Sequence, residues 1–196
     1  MFSGIVEGKE LPLKIIKKKQ SIILTFAIPN QWEIKTGDSI AIDGICATVQ
    51  ALDKNTFTVY FMDETLKKTS LLKLSDNHFY NLERPLTLNS LIGGHLVSGH
   101  IDTTAKVQNI KQVEESQVVT FKIDPLFTKY IIYKGSICVN GVSLTIVSVT
   151  NTEFTVSLIP YTLEHTNLGN LKVGDTVNIE VDLLAKYIEK LTTSVK

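Results

Sequence analysis

The chain has little cysteine, little proline and no surplus of either charge, and each shortage removes a class of reading. Its only cysteines among 196 residues are Cys46 and Cys138, so one disulfide at most is available. That excludes a disulfide-stapled secreted scaffold. With no basic-then-apolar leader in Met1-Phe2-Ser3-Gly4-Ile5-Val6-Glu7, both read as free thiols in a reducing cytoplasm. Lys+Arg and Asp+Glu number 20 each, which leaves no cationic excess for nucleic acid. The one basic run, Lys14 with Lys17-Lys18-Lys19, reads as a solvated strand end or turn. No apolar run approaches the roughly 20 residues of a membrane-spanning helix. No dinucleotide fingerprint or phosphate loop occurs. A hydrophobic content of 43% with 5 prolines instead points to packed cores and against disorder.

The chain repeats itself. At an offset of 97, Ser39 pairs with Ser136, Gly44 with Gly141, Thr48 with Thr145, and Phe57-Thr58-Val59 with Phe154-Thr155-Val156. Thr65-Leu66 then pairs with Thr162-Leu163, Thr69 with Thr166, and Asn81 with Asn178. Near the start the offset becomes 95, and Ser3-Gly4-Ile5-Val6-Glu7 pairs with Ser98-Gly99-His100-Ile101-Asp102. Two similar domains fill almost the whole chain, with a seam near Arg84–Leu91.

Within each copy the pattern is mostly β. Asp43-Gly44 and Asn140-Gly141 hold the same repeat position, and both dipeptides favour the positive φ angles of a type I′ hairpin turn. Ser39–Ile42 is therefore expected to pair with Ile45–Gln50, and Ser136–Val139 with Val142–Val149. Further strands are expected at Ile22–Ile28, Phe57–Phe61, Val118–Ile123, Phe154–Leu158 and Thr176–Val181. Short helices are expected to start at Asp63 and Thr162, behind polar capping residues. Many short strands between turn signals suit a small closed barrel, which leaves no unpaired edge. After Asp182 the period changes: Leu184, Ile188, Leu191 and Val195 form a helical stripe. Such a stripe docks either on its own barrel or on the same helix of neighbouring subunits.

Side chains alternate along strands, so Cys46 and Thr48 share one face, as do Ser143 and Thr145. Small polar groups there leave room for a planar ligand and can bond its edge, or they are ordinary Thr-rich surface. The densest cluster is Gly93-Gly94-His95-Leu96-Val97-Ser98-Gly99-His100-Ile101-Asp102. Its two histidines lack partners at metal-ligand spacing, so a metal site is a poor reading. His100, between glycine and the repeat start, is either structural or functional.

The segments Met1–Glu7, Gly93–Asp102 and Val139-Asn140-Gly141-Val142-Ser143-Leu144-Thr145 together resemble riboflavin synthase, alpha chain, over essentially the whole length. The resemblance implies an all-β protein: two similar six-stranded antiparallel β-barrels, residues 1–87 and 88–182, plus a C-terminal α-helix, 183–196, that builds a homotrimer. It implies that each barrel binds 6,7-dimethyl-8-ribityllumazine and that the active site forms between barrels of neighbouring subunits. Two lumazines exchange a four-carbon unit to give riboflavin and 5-amino-6-ribitylaminouracil, with no cofactor and no metal. Some members also partner a lumazine synthase capsid. A non-catalytic lumazine- or flavin-binding antenna protein on the same scaffold is the competing reading. The lumazine C7 methyl group is already acidic, so holding two rings in reactive register is the larger task.

By the same resemblance, an N-terminal pocket uses Gly4, Ile5 and Val6 with Cys46, Ala47 and Thr48. To these it adds the segment Tyr60, Phe61, Met62, Asp63, Glu64 and Thr65. A C-terminal pocket uses Gly99, His100 and Ile101 with Lys134, Ser143, Leu144 and Thr145. Its added segment is Ser157, Leu158, Ile159, Pro160, Tyr161 and Thr162, and Asp182 lies near the site. His100 is the first choice for proton transfer, since a neutral imidazole both accepts and donates near pH 7. Ser143, Cys46 and Ser39 are the candidates for polarising a ring or assisting addition. The hairpin reads Asp43-Gly44-Ile45-Cys46-Ala47-Thr48, where the family usually has Asn-Gly and a leucine before the threonine. Ala47 is expected to loosen the first pocket.

Overall fold

The structure is a computed structural model and describes residues 1–73 and 77–193. The first copy contains β1 (Gly8–Glu10), β2 (Lys14–Lys18), β3 (Ser21–Ala27), β4 (Ser39–Ile42), β5 (Ile45–Asp53), β6 (Thr56–Met62), α1 (Asp63–Lys68) and β7 (Tyr80–Glu83). The second contains β8 (Thr103–Val113), β9 (Ser116–Lys122), α2 (Pro125–Thr128), β10 (Ser136–Val139), β11 (Val142–Val149), β12 (Glu153–Leu158), α3 (Pro160–His165) and β13 (Thr176–Val181). A last helix, α4, spans Leu183–Thr193.

The second copy closes into a six-stranded barrel in the order β10-β11-β12-β9-β8-β13. The first follows the same order but as a seven-stranded sheet, β1-β7-β4-β5-β6-β3-β2, a departure from the expected pair of six-stranded barrels. Its β1 and β2 stand where the second copy has the single strand β8. Between them lies Leu11-Pro12-Leu13. Proline has no amide hydrogen to give a ladder, so the strand breaks there and the ring of hydrogen bonds stays open.

Alternation fills each interior. Phe57, Val59 and Phe61 on β6 point inward, as do Phe154, Val156 and Leu158 on β12. The equivalent pairs Phe26–Phe57 and Phe121–Phe154 stack with centroids 5.5 and 5.1 Å apart. Strands β8 and β7 carry no clear period-two signal. In β8 the register against β9 shifts between Val107 and Asn109, which flips the phase of the pattern halfway. In β7 all four residues are buried, including Asn81 and Glu83, so polar residues sit where alternation expects apolar ones. The short helices form, but α3 begins at Pro160 rather than Thr162. Neither α1 nor α3 has a side-chain cap: Met62 and Ile159 occupy the N-cap positions.

Both hairpins turn as expected, with φ of 47° and 77° at Asp43-Gly44 and 46° and 81° at Asn140-Gly141. The two turns meet on a pseudo-twofold axis. A Cβ on Gly44 would stand 2.8 Å from the amide nitrogen of Gly141, and one on Gly141 equally close to that of Gly44. A buried polar network joins the copies around this axis. Asn81 donates from Nδ2 to the Asn140 carbonyl at 2.8 Å, and Asn178 from Nδ2 to the Asp43 carbonyl at 3.0 Å. The symmetry breaks at Asp43, a fully buried carboxylate. Its Oδ1 accepts from the Asn81 amide and from Asn167, and its Oδ2 sits 2.7 Å from His78 Nε2.

The tail docks on its own barrel, one of the two expected roles. Lys186 of α4 reaches Asp102 at 2.7 Å, and Glu189 is bonded to Lys129 and Tyr130. That face docks on the second barrel. Leu184, Ile188 and Leu191 are 64%, 62% and 68% exposed on the other side. Val195 lies outside the described residues.

Candidate active site

The two copies exchange their leading segments. Ser143 on β11 donates its amide hydrogen to the Gly4 carbonyl at 2.8 Å, and Cys46 on β5 donates to the Gly99 carbonyl at 2.8 Å. Val6 packs against the second core and Ile101 against the first. The pockets expected from the sequence are thus regrouped: Gly4, Ile5 and Val6 lie with Ser143, whereas Gly99, His100 and Ile101 lie with Cys46. The crossing point is a two-bond bridge, with Phe2 donating to Val97 at 2.7 Å and Val97 to Phe2 at 3.0 Å. Glycine is required at both contacts. Gly4 and Gly99 have φ of 75° and 82°, and an added Cβ would sit 2.7 Å from the Ser143 Cβ or 2.6 Å from the Cys46 Cβ.

Beside each contact lies an open platform. On neighbouring strands β5 and β6, the outward positions are Cys46, Thr48, Tyr60 and Met62, with Ser39 of β4 opposite Thr48. On β11 and β12 they are Ser143, Thr145 and Ser157, followed by Ile159. Tyr60, Met62, Ile159 and Tyr161 are 43–66% exposed and offer surface that suits the face of a flat ring. A cleft of about 1580 Å³ runs past Ile5, Trp32, Arg84 and Leu91 and takes in neither Cys46 nor Ser143. Both platforms are open faces rather than enclosed cavities.

Two reciprocal platforms on one duplicated scaffold agree with what the chain is similar to. Residues 3–85 and 98–182 each match the model of the lumazine binding domain. Riboflavin synthase of Actinobacillus pleuropneumoniae is 42% identical over 97% of this chain and 89% of its own length. That of Bacillus subtilis is 42% identical over 96% and 88%. The chain belongs to the riboflavin synthase family. Among solved structures, LumP complexed with 6,7-dimethyl-8-(1'-D-ribityl) lumazine superposes with a TM-score of 0.82 at 27% identity, covering 92% of this chain and 99% of that one. LumP complexed with riboflavin gives 0.85 at 27% identity, with the same coverage.

Within this riboflavin synthase fold, several residues named from sequence face away from the platforms. Ala47, Phe61, Leu144 and Leu158 are buried in the two cores, so only their backbones can front a ligand. Ala47 consequently trims the core, not the pocket. Asp63 and Glu64 begin α1, where they pair with Lys67 and Lys68; the Thr65 carbonyl accepts from the Thr69 hydroxyl at 2.8 Å. Pro160 and Thr162 likewise belong to the first turn of α3. Lys134 is exposed in the turn before β10, and its amide donates to the Ile146 carbonyl at 3.0 Å. His100 is exposed, with its amide on the Ser98 hydroxyl at 3.2 Å, and stands by Cys46 rather than Ser143.

The residue beside Ser143 is His95, absent from the sequence-derived set. Its Nδ1 lies 2.7 Å from the Ser143 hydroxyl oxygen. Burial lowers its pKa from 6.5, while the Asp182 and Glu180 carboxylates pull the other way, so the ring is neutral at pH 7. Its sequence signal was its place in the Gly93–Asp102 cluster, which does not show what it faces. Cys138 is buried, and burial pushes its thiol pKa well up, which leaves Cys46 as the accessible thiol. Among the described residues no cluster of three or more His, Cys, Asp or Glu is arranged to hold a metal ion.

Proposed function

We propose that this protein is a riboflavin synthase, which dismutates two molecules of 6,7-dimethyl-8-ribityllumazine. One gives up a four-carbon unit, and the products are riboflavin and 5-amino-6-ribitylaminouracil. Together the products contain every atom of the two substrates, so no oxidant or co-substrate enters. The observation that carries the reading is the reciprocal pair of platforms. A reaction between two copies of one molecule calls for two related sites, and the exchanged segments build each from both repeats.

The sites differ where donor and acceptor roles must differ. One presents Ser39, Cys46 and His100, the other Ser143 with the neutral His95. Proton transfer at the first falls to His100, and ring polarisation to Ser143 and Cys46. Rings stacked against Tyr60, Met62, Ile159 and Tyr161 lose little freedom on reaching the reactive register. Lys134 and Asp182 complete the set from its edges.

Open platforms need a cover, and a second copy of the chain supplies it. We assign residues 183–196 to a homotrimer built on the apolar stripe of α4, and residues 1–87 and 88–182 to one lumazine-binding unit each. No helix among the described residues is long and apolar enough to cross a membrane. Free Cys46 and Cys138 suit the cytoplasm. The deciding experiment incubates the pure protein with the lumazine alone and follows product spectra. Riboflavin and the pyrimidine should appear in equal amounts; binding without product would establish a binding protein instead.

A further inference from the structure

Each ligand-facing segment hangs from a single buried carboxylate. Glu83 on β7 and Glu180 on β13 occupy equivalent positions and are 4% and 1% exposed. Glu83 Oε1 accepts from the Ser3 amide at 2.7 Å and the Ser3 hydroxyl at 2.8 Å, and its Oε2 from the Gly4 amide at 3.1 Å. Glu180 repeats the pattern on Ser98 and Gly99 at 2.6, 2.7 and 2.9 Å. The serine hydroxyls then accept from the amides of Ile5 and His100 at 3.3 and 3.2 Å. The carboxylate thereby fixes the backbone up to the first side chain that faces the platform.

We propose that Glu83 and Glu180 are positioning residues, each setting one lumazine site, and that each acts on the barrel to which it does not belong. Glu83 lies in the first copy, yet the segment it holds serves the Ser143 platform of the second. Glu180 lies in the second copy and serves the Cys46 platform of the first. Three donors converge on each carboxylate, two of them amides that would otherwise be buried without partners. Glutamine keeps the shape but turns an N–H toward an amide donor, so the segment must shift. The platform loses its Gly4 or Gly99 edge while both barrel cores stay intact. This rests on the two-site reading above.

The test measures lumazine stoichiometry and Cys46 alkylation in the full-length protein and in Glu83→Gln and Glu180→Gln. The unaltered protein should bind two lumazines per chain, and bound lumazine should slow alkylation of Cys46; failure here overturns the two-site reading itself. Glu83→Gln should weaken one site by about ten- to hundred-fold and leave the lumazine concentration that protects Cys46 unchanged. Glu180→Gln should raise that protecting concentration by a similar factor and spare the other site. A general structural role predicts that both sites weaken together in each variant, and that result, or no effect on either site, overturns the proposal. Should a glutamine variant fail to fold, Ser3→Ala and Ser98→Ala decide by the same site-by-site pattern. Each removes one donor from the clamp without adding a clashing one.

Discussion

Replacing Gly99 by alanine tests the exchanged segment with a control supplied by the same fold. Gly174 has φ of 96° and nothing within 4 Å of an added Cβ, so Gly174→Ala carries only the left-handed backbone term, about 1–2 kcal/mol. Gly99 has φ of 82°, and its Cβ would stand 2.6 Å from the Cys46 Cβ, 2.9 Å from the Cys46 nitrogen and 3.0 Å from Phe2. None of these is the free end of a flexible chain, so the segment itself has to move. The Cys46–Gly99 hydrogen bond, 2.8 Å long, is lost or stretched, which adds about 1 kcal/mol. Displaced packing around the fully buried Phe2 adds about 1–3 kcal/mol. Gly99→Ala should therefore cost about 2–4 kcal/mol more than its control, measured as the difference in unfolding free energy in urea. Turnover should fall in Gly99→Ala and persist in Gly174→Ala, because only the first disturbs the Cys46 platform. Equal stability losses in the two variants, or full lumazine turnover in Gly99→Ala, would refute the packing argument.

Further outcomes follow from other contacts. His78→Ala leaves Oδ2 of the fully buried Asp43 without its 2.7 Å partner and should destabilise by about 1–3 kcal/mol. In an Asp43→Asn background the same change should cost under about 1 kcal/mol, and a double-mutant cycle in urea checks the coupling. Because burial depresses the His95 pKa below 6.5, the unfolded chain takes up a proton that folded His95 refuses. Its contribution to stability is therefore constant above that pH and declines as pH falls below it. His95→Gln should flatten the stability profile below about pH 6.5; an unchanged slope would show that the imidazole is not desolvated. Replacing Leu184, Ile188 and Leu191 together by serine should leave a folded monomer by light scattering. An unchanged oligomeric state would remove the α4 stripe from the proposed trimer interface.

The strand faces of the candidate site were legible in the sequence, and which segment lies beside each face was not. Cys46 with Thr48, and Ser143 with Thr145, share faces because strand alternation is a local property of the backbone. Lys134 and the helix-starting residues came from motif position, which says where a residue lies in the chain but not what it faces. His95 escaped because what singles it out is a contact with Ser143, 48 residues away, and no local period reports such a contact.

The sequence alone determined the duplication, the two I′ hairpins, most strands and which strand faces look outward. The hairpins, strands and faces rest on interactions between residues a few positions apart, and the duplication on matching the chain with itself. Only the tertiary structure decided which leading segment lies on which barrel. A repeat is equally consistent with each copy keeping its own segment or with both trading places, since Gly4 and Gly99 are equivalent by symmetry, as are Cys46 and Ser143. The choice is made by long-range geometry. The Phe2–Val97 bridge ties the segments together on the axis, and Glu83 and Glu180 hold them there. From that axis each segment reaches the opposite hairpin.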